Sequence, residues 1–208
     1  MAVLCFDFDG TIADSLSLEE KYYLPSLLDY GITCFSSMND VKAACRENYY
    51  DFCRNQGISS ETLTELDSLY KKALKENDVI IPLFHGIPEM FDALCKKHRI
   101  YVVSLNSVLE IRRTLSHYGV TSVQAVRGWE DDRNKAAALR RVKMEFPDED
   151  IVLISDSVGD MKEGKVAEIA KVIAVTYGWG DRAELEAAGA DVLFDDISSL
   201  SAYLMTLN

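Results

Sequence analysis

The chain has 208 residues, enough for one substantial domain or for a core carrying a smaller one. Hydrophobic residues make up 48% and charged residues 27%, so a packed core is expected, while 34 acidic against 22 basic residues, a formal charge of −12, exclude nucleic acid as a partner. No apolar run approaches the roughly 20 residues that cross a bilayer, MAVLCFDFDG lacks the basic start and the apolar core of a signal peptide, and five scattered cysteines without a CxxC pair fit reduced thiols, so a cytoplasmic protein is expected and secreted, membrane and zinc-finger readings fall.

AVLCFDF reads as a buried strand that ends in an acidic loop, because a strand covered on both faces is nearly continuously apolar. From about Ser15 to Ile81 the texture is helical. SLSLEEKYYLPSLLDYG, MNDVKAACRENYYDFCRNQG and SSETLTELDSLYKKALKEN each carry apolar residues at helical spacing, with Gly31 and Gly57 as stops and Ser60, Thr62 and Glu65 as start signals. After Pro82, helices alternate with apolar runs. Helices are expected over 88–97, 108–118, 134–146, 160–171 and 183–188 and at the C-terminus, and the strands are RIYVVSL, SVQAV, IVLIS, VIAVT and DVLF. Such alternation implies βαβ units and a parallel sheet. The expected architecture is a discontinuous α/β, Rossmann-like core, residues 1–15 and 82–208, with an all-helical insertion over 16–81.

Ligands of open α/β sheets bind beyond the carboxyl ends of the strands. The first strand ends at Asp7, Asp9, Gly10 and Thr11, with the two carboxylates two residues apart and so on one side of the chain. RIYVVSL ends at Ser104, Leu105 and Asn106; IVLIS ends at Asp156, with Asp160 four residues on; Lys135 opens the helix before that strand. Crowded carboxylates require a cation, and hard oxygen donors select Mg²⁺. An ammonium and a hydroxyl beside that ion suit a phosphate dianion.

FDFDGTIADS, Ser104, Lys135 and DSVGD, in that order, resemble the haloacid dehalogenase superfamily of phosphohydrolases, and the stretch from Ile151 through TYGWGDRAELEAAGADVLFDD resembles its phosphoglycolate-phosphatase-like branch. The resemblance implies a Mg²⁺-dependent phosphatase acting on a small phosphorylated metabolite, with phosphoglycolate the favoured ester and a monomer or homodimer as the working form. It casts Asp7 as the nucleophile that becomes an aspartyl-phosphate and Asp9 as the general acid and base. It assigns the metal to Asp7, the backbone carbonyl of Asp9 and Asp156, with Asp160 acting through water or from outside. It places Ser104 and Lys135, with Gly10, Thr11, Leu105 and Asn106, around the phosphoryl group. It makes the insertion a cap. The chain departs from the pattern at Ser155, where glycine is usual, at Ala136, where proline is usual, and at Asn106, one place later than expected.

The same motifs also fit a phosphomutase, and the fold alone fits a non-catalytic binding protein. A dehalogenase is disfavoured because Asp9 has no use in displacing halide. His85 reads as a hinge or packing residue, and the glycines of TYGWGD are weak evidence for a phosphate cradle. Arg46, Asn48 and Tyr49 are the insertion's candidates for contact with a substrate, against the plainer reading of a solvated helix face.

Overall fold

A computed structural model describes residues 1–207. Six strands, β1 (Ala2–Phe6), β2 (Arg99–Val103), β3 (Val123–Arg127), β4 (Asp150–Ser155), β5 (Lys171–Val175) and β6 (Val192–Phe194), form one parallel sheet in the order β3-β2-β1-β4-β5-β6. The order reverses direction between β1 and its neighbours β2 and β4. That reversal opens a crevice beyond the end of β1, where α/β folds bind ligands.

Every residue of β1 is buried, as a central strand covered on both faces requires. Alternate side chains serve two cores. Leu4, Phe6, Ile100, Val102, Val152 and Ile154 face one side. Val3, Cys5, Tyr101, Val103, Ile151 and Leu153 face the other. The first face is covered by α6 (Ile87–Leu94), α7 (Val108–His117) and α11 (Ile197–Leu204), through Phe91, Ile111 and Leu200 among others; the second by α8 (Lys135–Glu145), α9 (Val158–Val166) and α10 (Arg182–Ala187), through Leu139, Met161 and Leu185. The period of two in the strands thus sorts the core into its two layers.

Between β1 and α6 the described chain forms helices only. α1 (Leu16–Leu18) continues through a π-helical stretch (Glu19–Tyr23) into α2 (Leu24–Asp29), followed by α3 (Met38–Ala44), α4 (Tyr49–Asn55) and α5 (Ser60–Glu76). Leu27, Phe35, Val41, Cys53, Leu63 and Leu66 make a separate small core, while Tyr70 and Leu74 pack against the sheet's own cluster. The outgoing and returning connections lie side by side. Asp14 N–H donates to the Pro82 carbonyl at 2.8 Å, and Phe84 N–H donates to the Ile12 carbonyl at 3.0 Å.

Three differences from the expected boundaries bear on the site. The second helix of the insertion is two helices, broken at Cys45–Asn48, because Asn48 caps α4 by accepting from the N–H groups of Tyr50 and Asp51. Helix α5 is capped by Ser59, one residue before the expected signal. Helix α9 starts at Val158 and ends at Val166, so Asp160 lies inside its first turn, capped by Ser157. The five cysteines are free thiols. Among the described residues no helix is long and apolar enough to cross a membrane.

Candidate active site

Beyond the ends of β1, β2 and β4 lies a cavity of about 360 Å³, floored by Asp7, Asp9, Ser104, Lys135, Asp156 and Asp160 and roofed by the helical insertion. The six converge because each follows a strand or opens a helix on one edge of a parallel sheet. One Asp7 oxygen accepts from Phe8 N–H at 2.7 Å and meets the Lys135 ammonium at 2.9 Å. Lys135, 3% exposed, also pairs with Asp160. Burial alone would lower the Lys135 ammonium, but Asp160 and Asp7 outweigh it and hold the group above its ordinary range. Burial pushes the Asp160 carboxyl up, and Lys135 opposes that rise.

Asp9 stands apart from that network. Asn106 Nδ2 donates to one of its oxygens at 2.9 Å, and the other is buried without a hydrogen-bond partner among the described residues. Burial pushes the Asp9 carboxyl up to about 6, against the opposing effect of Ser15 and Asn106. The late position of the asparagine therefore aims its amide at Asp9.

Asp156 accepts from the Thr11 hydroxyl at 2.9 Å and from Trp179 N–H at 2.7 Å. Burial, then the charge of Asp7, pushes it up to about 7. Gly10 and Thr11, expected at the phosphate, do not line the cavity. They position Asp156 instead: Gly10 has φ +72°, and a Cβ there would lie 2.1 Å from an Asp156 oxygen. The glycines of TYGWGD do the same from the other side, since a Cβ at Gly178 would lie 2.1 Å from the Gly10 carbonyl. Leu105 and Asn106 do line the cavity, and the Ser104 hydroxyl accepts from Asn106 N–H at 3.2 Å. Ser155, standing in place of the usual glycine, donates to Asp160 and lies 3.4 Å from an Asp7 oxygen.

This donor set fits a hard cation. Asp7 and Asp156 are buried carboxylates of like charge, and no cation pairs with Asp156 among the described residues. Asp160 is turned to Lys135 and Ser155, and among the described residues no three Asp, Glu, His or Cys side chains form a metal-holding group.

The roof was less legible. Tyr49 lines the cavity, and its hydroxyl bonds that of Tyr23 at 2.7 Å. Asn48, buried, donates to the Arg133 carbonyl at 3.0 Å and to Glu163 at 2.9 Å, so it ties the insertion to the core. Arg46 is exposed and held by Glu184. His85 is exposed and does not line the cavity. The sequence reading missed Glu19, Asp67, Tyr70 and Trp179, which line it too. The one available signal was an acidic residue amid the apolar positions of a helix, and EE at 19–20 does not say which glutamate turns inward.

The model of a haloacid dehalogenase-like hydrolase family matches residues 4–175. Among solved structures, the chain is similar to a predicted phosphatase from Clostridium acetobutylicum (20% identity, 99% of each chain, TM-score 0.80). It is also similar to a haloacid dehalogenase-like family hydrolase from Streptococcus pneumoniae (17% identity, 98% of each chain, TM-score 0.77). A third is a predicted phosphoglycolate phosphatase from Haemophilus somnus (18% identity, 98% of this chain and 97% of that one, TM-score 0.73). No curated protein matches the sequence.

Proposed function

The chain belongs to the haloacid dehalogenase-like hydrolase family, and from that premise we propose that it is a Mg²⁺-dependent phosphatase that hydrolyses a small phosphate monoester through an aspartyl-phosphate on Asp7. One observation carries this reading. Asp7 lies at the cavity floor with the Lys135 ammonium 2.9 Å from one oxygen, and Asp9 stands beside it in a separate, protonatable setting.

In the first step Asp7 attacks phosphorus, the bond from phosphorus to the ester oxygen breaks, and Asp9 gives its proton to the departing oxygen. A carboxyl held near 6 is partly protonated at neutral pH and suits that donation. In the second step water attacks the aspartyl-phosphate and yields its proton to Asp9, which releases inorganic phosphate and restores both carboxyls. Lys135 and the Ser104 hydroxyl hold the phosphoryl oxygens in place as charge builds on them. Asp7, Asp156 and the Asp9 carbonyl would hold Mg²⁺, which when bound offsets the negative charge gathered at the floor. Residues 16–81 act as a cap over the core formed by 1–15 and 82–208, excluding water during the first step.

The test is phosphate release from a panel of monoesters with Mg²⁺ after chelator treatment. Phosphoglycolate, to which the sequence resemblance points, is one of the first esters to assay. Asp7→Asn should abolish release, because an amide does not attack phosphorus, and Asp9→Asn should lower it roughly 10²- to 10⁴-fold. Full activity in Asp7→Asn refutes the covalent route. Conversion of a sugar phosphate to an isomer without free phosphate would replace hydrolase by mutase.

A further inference from the structure

The roof of the cavity carries a chemical preference of its own. Glu19 is only 9% exposed, lies in the π-helical stretch and lines the cavity. π-helical turns are rare and recur at functional sites, where they turn a side chain that a regular helix would point elsewhere. The nearby ammonium groups are engaged away from Glu19: Lys71 pairs with Asp67, and Lys135 with Asp7 and Asp160. The charges acting on Glu19 are acidic, first Asp9 and then Asp67. Lys42 and Arg46 also line the cavity; Arg46 is exposed and held by Glu184, Lys42 is half-buried and has no ion-pair partner among the described residues, and neither is among the charges that act on Glu19.

A second observation points into the same space. Tyr70 is 4% exposed and adjoins Glu19 on the cavity wall, and its hydroxyl makes no hydrogen bond of ordinary length among the described residues. Its ring packs edge-on to Tyr23 at 5.7 Å between centroids, and Tyr23 lies 6.4 Å from Tyr49. A buried acid without a cation, a hydroxyl with no ordinary hydrogen bond and aromatic walls make a receptor for an ammonium group, whose positive charge replaces the proton that burial otherwise keeps on Glu19. The like charges of Asp9 and Asp67 disfavour a carboxylate in the same place.

We infer that the alcohol carried by the ester bears a protonated amine close to the scissile oxygen, and that Glu19 and Tyr70 receive that amine while the tyrosine rings flank it. The substrate class is then an amino-alcohol phosphate rather than a phosphorylated hydroxy acid. This rests on the phosphatase reading, which places the leaving alcohol at Asp9 and hence beside Glu19.

The test is a charge series of nearly equal size: 2-aminoethyl phosphate, 2-hydroxyethyl phosphate and phosphoglycolate, with p-nitrophenyl phosphate as the activated reference. For the native protein with Mg²⁺, kcat/KM should fall by about tenfold from the amine to the hydroxyl and by a similar factor again to the carboxylate. In Glu19→Gln, nearly isosteric and checked for folding by circular dichroism, the amine and hydroxyl esters should come within about threefold of each other. Equal kcat/KM across the series, a preference for phosphoglycolate, or an unchanged ranking in Glu19→Gln overturns the inference while p-nitrophenyl phosphate turnover keeps the hydrolase reading intact. No phosphate from any ester, p-nitrophenyl phosphate included, overturns that reading and the inference with it.

Discussion

Gly159, in the first turn of α9, is where the insertion rests on the core. The loop between α3 and α4 lies directly on it. Gly159 N–H donates to the Cys45 carbonyl at 3.2 Å, and the Ser157 hydroxyl donates to the same oxygen at 2.9 Å. A Cβ at position 159 would lie 2.4 Å from the Glu47 carbonyl oxygen and 2.8 Å from that of Cys45. Both are backbone atoms with no rotamer to yield, and ordinary contact begins at 3.4 Å, so Gly159→Ala must displace the loop by about 1 Å. That displacement breaks both hydrogen bonds to Cys45. At about 0.5–1.5 kcal/mol each, the closed form loses about 1–3 kcal/mol, or about 5- to 150-fold in the closed-to-open ratio. Helix α9 itself loses nothing, since alanine favours a helix over glycine by up to about 1 kcal/mol. The variant should therefore keep or raise its Tm by circular dichroism while kcat/KM on a metabolite ester falls within that range. Turnover of p-nitrophenyl phosphate, whose leaving group needs little from the roof, should fall less. A kcat/KM within twofold of the native protein would refute closure at Gly159. A Tm that falls in step with activity would refute it as well, by tracing the effect to the core.

Three further outcomes follow from the site's electrostatics. Lys135→Met strands the buried Asp7 and Asp160 carboxylates without their counter-charge, which should cost about 3–5 kcal/mol and lower the Tm by on the order of 10 °C; a Tm within two degrees contradicts the ion pairs. Burial holds Asp9 near 6, Asp156 near 7 and Glu19 near 8, so the folded chain keeps protons that the unfolded chain releases from about pH 4 upward. Stability without metal should thus decline as pH rises from about 4 to 8, with chelator-treated protein melting higher at pH 5 than at pH 8, and Mg²⁺ should recover more at pH 8 than at pH 5. A flat Tm would show that these carboxyls are not shifted. Surface carboxyls such as Asp191 are lowered instead, by Lys165 and the Val172 N–H against a burial effect of opposite sign, and act only below that window. Ca²⁺ should inhibit where Mg²⁺ activates, because its larger, looser shell takes both oxygens of Asp7 and leaves none to attack; equal rates in the two metals contradict the nucleophile.

The amino-acid sequence by itself determined the α/β core and the floor of the site. Strands buried on both faces must be apolar throughout, so AVLCF, RIYVV and IVLIS stand out without any partner in view, and parallel strands separated by helices deliver their carboxyl ends to one edge. Asp7, Asp9, Ser104, Lys135, Asp156 and Asp160 are legible because each is a polar residue placed where such a run or its following helix begins or ends. Tertiary structure alone decided the rest. Gly10 and Thr11 adjoin Asp7 and Asp9 yet turn to Asp156, since a buried carboxylate takes the nearest donor and the space beside it must be empty. Helical spacing runs unbroken from Met38 to Asn55, yet the helix stops at Cys45, because Asn48 gains more from capping α4 and bonding Glu163 and the Arg133 carbonyl than from continuing a turn. Glu19 and Glu20 are equivalent in any local reading. Only the π-helical turn and the neighbouring Tyr70 and Asp67 of α5 set one of them inside, since which face of a helix is buried depends on what packs against it.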